Sequence, residues 1–180
     1  MKNVLLLDID GTLCPWVDVK EIEYWSDPDH YPTEVFDHCC ETLSKLEAIM
    51  QFCGENLLIR IVTGRNHQDH EAATRKLLEY YRIEPFAIDW YHTDQNEAFN
   101  LLEYRQWKID YLRNLVNTYS DGYITIIEDD KFILRSLSLL LDTYSNVTLI
   151  EVEGFQTTDG FLWRNYPKFH EPSWGRVPFD

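Results

Sequence analysis

Asp8 and Asp10 close a short apolar run, Asn3-Val4-Leu5-Leu6-Leu7, and lead into Gly11-Thr12-Leu13. On an extended backbone, acids two apart point to the same side, about 7 Å from one another along the chain. A phosphorus atom with its attacking and leaving oxygens fits that span. Gly11 allows a sharp change of direction, and Thr12 can tie the loop back through its hydroxyl. A second apolar run, residues 57–62, ends in Thr63-Gly64-Arg65, and a third, residues 123–127, ends in Glu128-Asp129-Asp130. If Asp8, Asp10, Glu128, Asp129 and Asp130 converge, their charges repel, and a hard divalent cation held by oxygen ligands resolves the conflict. Mg2+ suits such a site because it is typically held by one or two carboxylates together with a substrate phosphate. Two acids ending a buried strand need a reason. A metal-binding but catalytically silent domain is the competing one.

The elements that must position these residues follow from hydrophobic periodicity. Residues 3–9, 57–62, 86–91, 123–127 and 147–152 read as buried strands. Residues 35–53 read as a helix, with Val35, Phe36, Cys39, Leu43, Leu46, Ile49, Met50 and Cys53 on its apolar face and Gly54 as its stop. Further helices are expected from Asn66 (its cap) to about residue 81, over 97–119 and over 131–144. Strands that alternate with helices and carry continuous apolar runs imply an α/β fold: a central parallel sheet of about five strands between two helical layers. Ligands of such sheets bind beyond the carboxyl ends of the strands, where the three polar clusters fall. The chain, residues 1–180, reads as a single domain with a core of about 1–153 and a loop-rich aromatic tail over 154–180.

Composition limits the partners. With 16 Lys+Arg against 31 Asp+Glu, the formal net charge is −15, which disfavours salt-driven attraction to nucleic acid or anionic lipid. No apolar run reaches the length of a membrane span, and no export signal is visible, so a cytoplasmic protein with no membrane partner is expected. Cys14, Cys39, Cys40 and Cys53 lack the spacing of a zinc site or a disulfide framework and read as small buried hydrophobes.

Taken in order, these motifs resemble the haloacid dehalogenase (HAD) superfamily of aspartate-nucleophile phosphatases. D-x-D-G-T-L matches at residues 8–13, and an apolar strand ending in Thr matches at Ile61-Val62-Thr63. A lysine on a later helix is best matched by Lys108, since the rival Lys131 would break the motif order. An apolar strand ending in acids matches at Ile126-Ile127-Glu128-Asp129-Asp130. The resemblance implies a HAD-like Rossmannoid three-layer sandwich. It also implies roles: Asp8 the nucleophile, Asp10 the acid/base, Thr63 a hydrogen-bond donor to the transferring group, and Lys108 the cation holding Asp8 and the phosphoryl oxygens. Thr12, Gly64 and Arg65 then fall on the substrate side. Mg2+ would contact Asp8, the backbone carbonyl of Asp10, and Asp129 with Glu128 as accessory, while Asp130 sits where subfamilies vary.

Neither residues 14–34 nor residues 66–107 leave room for a folded cap, so the chain resembles minimal-cap members, whose open sites accept macromolecular ends. Weak similarity to HAD phosphatases of nucleic-acid end repair points to a phosphorylated nucleic-acid end or another macromolecule as substrate. Aromatics for stacking occur at Trp16, Tyr24, Trp25 and Tyr31, at Trp90 and Tyr91, and among the basic residues of the tail. The alternatives are a small-molecule phosphatase acting on a nucleotide or sugar, and a non-catalytic HAD-fold binding module. Oligomeric state is not legible.

Overall fold

Alternate residues of the first strand divide between two cores. In β1 (Asn3–Leu7), Leu5 and Leu7 face one side of the sheet with Ile59 and Ile61, while Val4 and Leu6 face the other with Val62, Ile124 and Ile126. Helices must therefore cover both faces. The first is covered by α2 (Thr33–Cys53) and α3 (His67–Tyr80) through Cys39, Leu46, Ile49, Leu77 and Leu78. The second is covered by α4 (Leu101–Thr118) and α5 (Lys131–Leu140) through Ile109, Leu112, Val116, Ile133, Leu134 and Leu137. The computed structural model describes residues 2–15, 21–54, 56–92, 99–153 and 162–165.

β1 lies between β2 (Leu57–Thr63) and β4 (Tyr123–Glu128) and pairs with each in parallel. β3 (Ala87–Trp90) pairs with β2, and β5 (Val147–Glu153) with β4, giving a five-stranded parallel order β3-β2-β1-β4-β5. A sixth strand, β6 (Leu162–Asn165), joins β5 antiparallel. It falls in the stretch expected to be loop-rich, because four residues carry too little periodicity to stand out. The rest of 154–180 lies outside the described residues, as do Trp16 and most of the tail aromatics.

Local departures from the expected elements have local causes. Phe36 and Met50, assigned to the apolar face of α2, are 44% and 38% exposed. Each adjoins a buried neighbour, Val35 or Ile49, and so sits about 100° around the helix from it. α4 starts at Leu101 rather than 97 because the Asn100 side chain caps it, accepting from Leu102 N at 3.1 Å. α5 ends at Leu140, where the Leu141 N–H closes back onto Leu137. All four cysteines are free, and Cys40 is exposed rather than buried. Between β1 and α2, the described residues form only a short helix, α1 (Ile22–Trp25), and a 3-10 turn at Pro28–His30. Among the described residues there is no inserted cap domain, and no helix is long and apolar enough to cross a membrane.

Candidate active site

The chain leaves β1 for β2 on one side and later returns to β4 on the other, so strand order reverses between β1 and β4. Past the carboxyl ends of those two strands a crevice is expected. Asp8 follows β1 there, Glu128 ends β4, and Asp129 follows it. Asp8 and Glu128 are buried, at 5% and 2% exposure. Lys108, 1% exposed, reaches in from the middle of α4. Its ammonium donates to Asp8 Oδ1 and, at 2.9 Å, to Tyr104 Oη, and lies 2.7 Å from Glu128 Oε2 without hydrogen-bond angles. Thr12 Oγ1 donates to Asp8 Oδ2 at 3.3 Å. Gly11 is required twice: its φ is +85°, and a Cβ there would collide with the Asp129 carboxylate.

Asp8, Glu128 and Asp129 each bring one carboxylate oxygen within 4.8 Å of the others. Three carboxylates against one ammonium leave two negative charges in a buried place, which is the charge a divalent cation supplies. Burial, with Glu128 next to it, pushes the Asp8 carboxyl up to about 7. Burial and the same neighbours push Asp129 up as well. Burial pulls Lys108 down, but the Asp8 and Glu128 carboxylates outweigh it and hold the ammonium charged. The donor set therefore fits a hard cation such as Mg2+: oxygen ligands, excess negative charge and carboxyls that take up protons when nothing else neutralises them.

Asp130, the third acid of the run, is committed elsewhere. Its Oδ1 caps α5 by accepting from Phe132 N at 2.8 Å, and its Oδ2 accepts from Arg105 Nε at 2.6 Å. Thr63 is fully buried, and its hydroxyl accepts from Arg65 N at 3.2 Å. Gly64 lies under the Tyr104 ring, 3.0 Å from where a Cβ would stand.

Arg65 departs from the expected substrate-side position. Its side chain has no exposure and grips Asp10, with Nη2 at 2.7 Å and Nε at 2.9–3.1 Å from the carboxylate. The sequence could not reveal this pairing, since nothing local marks a partner 55 residues away. The Asp10 carboxylate, 21% exposed, is thus turned toward Arg65 and stands outside the acidic cluster. Tyr104 was missed altogether, although its position one turn before Lys108 on the same helix face was a usable signal.

A central β1 flanked by β2 and β4, with acids just past β1 and β4, is the arrangement that the sequence resemblance implied. The fold is HAD-like. No protein-family model matches the chain, and no curated protein does. Among solved structures, the chain is similar to one from "Structure of the Pnkp1/Rnl/Hen1 RNA repair complex", at 14% identity and a TM-score of 0.52. That match covers 78% of this chain and 40% of the other, so the chain spans well under half the length of that relative. The HAD domain of effector protein Lem4 from Legionella pneumophila also matches, at 18% identity and a TM-score of 0.43, over 83% of this chain and 85% of that one.

One prediction arises directly from the acids of this site. In the unfolded chain Asp8 titrates near its ordinary 3.8, and in the folded, metal-free protein near 7. Between those values the folded state binds more protons, so metal-free stability should fall as pH rises through that window, and it should go on falling toward pH 10 because the Asp129 carboxyl is pushed up to about 10. Mg2+ binding should expel the retained protons. Calorimetric titration at pH 6.5 in two buffers of different ionisation enthalpy should show release of between about one and two protons per ion, from Asp8 and Asp129, falling to about one at pH 8.5, where Asp8 is already ionised. Binding with no proton exchange at pH 6.5 would place the ion away from Asp8.

Proposed function

We propose that the chain is a Mg2+-dependent phosphomonoester hydrolase that works through an aspartyl-phosphate. The observation that carries this reading is the convergence of buried Asp8, Lys108 and Glu128 with half-buried Asp129 at the switch point of the sheet. Asp8 supplies the attacking carboxylate oxygen. Thr12 donates to one of its oxygens and Lys108 to the other, which fixes the attack direction and leaves a carboxylate as the nucleophile. Lys108 also offsets charge on the phosphoryl oxygens. Asp10 gives a proton to the leaving oxygen and takes one from the water that opens the acyl phosphate. When bound, Mg2+ held by Asp8, Glu128 and Asp129 supplies further charge stabilisation for the phosphoryl group. Residues 1–180 act in this reading as one domain whose core, about 1–153, holds the site. Free cysteines suit a reducing, cytoplasmic setting.

For the substrate we infer a phosphorylated macromolecular end, most plainly of nucleic acid. The absence of a cap among the described residues supports this, and so does similarity to a chain from an RNA repair complex. On the α1 segment, whose Ser26 accepts from Arg65, Tyr24 is 51% exposed and stacks on His30 at 4.9 Å, with Trp25 and Tyr31 beside them. An open site draws specificity from contacts remote from the phosphate. Phosphorylated oligonucleotides should therefore exceed mononucleotides and sugar phosphates in kcat/KM, and Tyr24→Ala with Trp25→Ala should lower that preference by about tenfold. If a free mononucleotide or sugar phosphate is the best substrate by far, the small-molecule phosphatase takes its place.

A further inference from the structure

All five N–H groups of the Arg65 guanidinium are accounted for by four partners. Nε donates to Asp10. Nη2 donates to Asp10 Oδ1 at 2.7 Å and to Cys14 Sγ at 3.2 Å, and Nη1 donates to Ser26 Oγ at 2.9 Å and Thr74 Oγ1 at 3.0 Å. Ser26 and Thr74 are themselves buried, at 1% and 0%. These partners come from three separate segments: the loop after β1, the α1 flap and α3. A guanidinium is planar and its donors are fixed in a fork, so partners in three segments determine its orientation.

That orientation is passed to Asp10 unevenly. Oδ1 accepts from Arg65 Nη2, from Arg65 Nε at 3.1 Å, and from Cys14 Sγ at 3.5 Å. Among the described residues, Oδ2 accepts from Nε alone, at 2.9 Å. Oδ1 thus takes three donors and Oδ2 one, so Oδ2 is the oxygen with a lone pair left for proton chemistry, on a side chain that is 21% exposed.

We propose that Arg65 is a positioning residue that commits Asp10 Oδ2 to the leaving group, with Ser26 and Thr74 aiming the guanidinium. The inference rests on the phosphatase reading above. In the step concerned, an Asp8 oxygen forms the new bond to phosphorus and the bond from phosphorus to the leaving oxygen breaks. The leaving oxygen keeps that electron pair and takes the proton from Asp10 Oδ2, and Asp10 recovers a proton from the water of the second step. Misaiming Oδ2 harms departure of an alkoxide, which needs the proton. It hardly affects 4-nitrophenolate, which departs as a stable anion.

Leaving-group dependence therefore tests the proposal. In Arg65→Lys, one ammonium cannot reproduce the fork, so kcat/KM for an alkyl phosphate or a phosphorylated oligonucleotide end should fall about 10²-fold. For 4-nitrophenyl phosphate the loss should stay below about tenfold, with KM little changed. Ser26→Ala and Thr74→Ala, which leave Arg65 itself in place, should show the same selectivity at smaller size and decide the matter if Arg65→Lys does not fold. An active parent whose variants lose the same factor on both esters overturns the proposal alone. A parent inactive on both, with Mg2+ present, overturns the phosphatase reading and the proposal with it.

Discussion

Asp8→Asn is expected to lower phosphomonoester turnover by about 10⁴-fold or more, because an amide oxygen of the same shape is a poor nucleophile. The same change should raise the melting temperature of the metal-free protein. Asp8 is buried against Glu128 and near Asp129, and replacing its carboxylate with a neutral group relieves repulsion that burial intensifies. The opposite signs separate lost chemistry from lost folding. Circular dichroism melts in EDTA at pH 8, run beside 4-nitrophenyl phosphate assays in Mg2+, would read both. A variant that keeps parental turnover would remove Asp8 from the mechanism, and one that melts early would show the carboxylate to be a structural partner of Lys108 instead.

Lys108→Met carries the second large expectation. The ammonium is the only cation contacting Asp8 and Glu128 among the described ion pairs, and both acids are buried. Removing one partner of a buried ion pair typically costs about 3–5 kcal/mol. The penalty should be greatest above pH 7, where the folded state must hold Asp8 ionised without its counter-charge. It should shrink toward pH 4, where protonation relieves the site. Mg2+ should restore part of the stability by binding the folded state, but kcat should stay about 10²–10³-fold down, since the charge facing the phosphoryl oxygens is gone. If Lys108→Met melts like the parent at pH 8 in EDTA, these charges are not coupled as the structure implies.

How far the sequence carried the reading depends on whether a signal was local. The Asp8-x-Asp10 spacing on a strand, the acids after Ile127 and the alternation of buried strands with helices are all local patterns. From them came the parallel sheet and the edge on which Asp8, Lys108, Glu128 and Asp129 meet. The role of Asp130 was partly legible too, since Asp before a helical run is a capping pattern, yet the acidic run drew it toward the metal. What escaped was set by tertiary partners. Arg65 follows Thr63-Gly64 as a substrate ligand would, and only the return of the loop after β1 brings Asp10 to it. Phe36 and Met50 are as apolar as their buried neighbours, and only packing decides which side of α2 meets the sheet.

The central claim is that Asp8 takes the phosphoryl group. Its most direct test is to mix the protein with Mg2+ and 4-nitrophenyl phosphate, quench in acid within the first turnover, and map the peptides by mass spectrometry. The peptide containing Asp8 should carry the added mass of one phosphoryl group, labile to hydroxylamine as an acyl phosphate is and absent when EDTA replaces Mg2+. Turnover with no modified peptide in the parent, or a phosphoryl group found on Asp10 or another residue, would contradict the account.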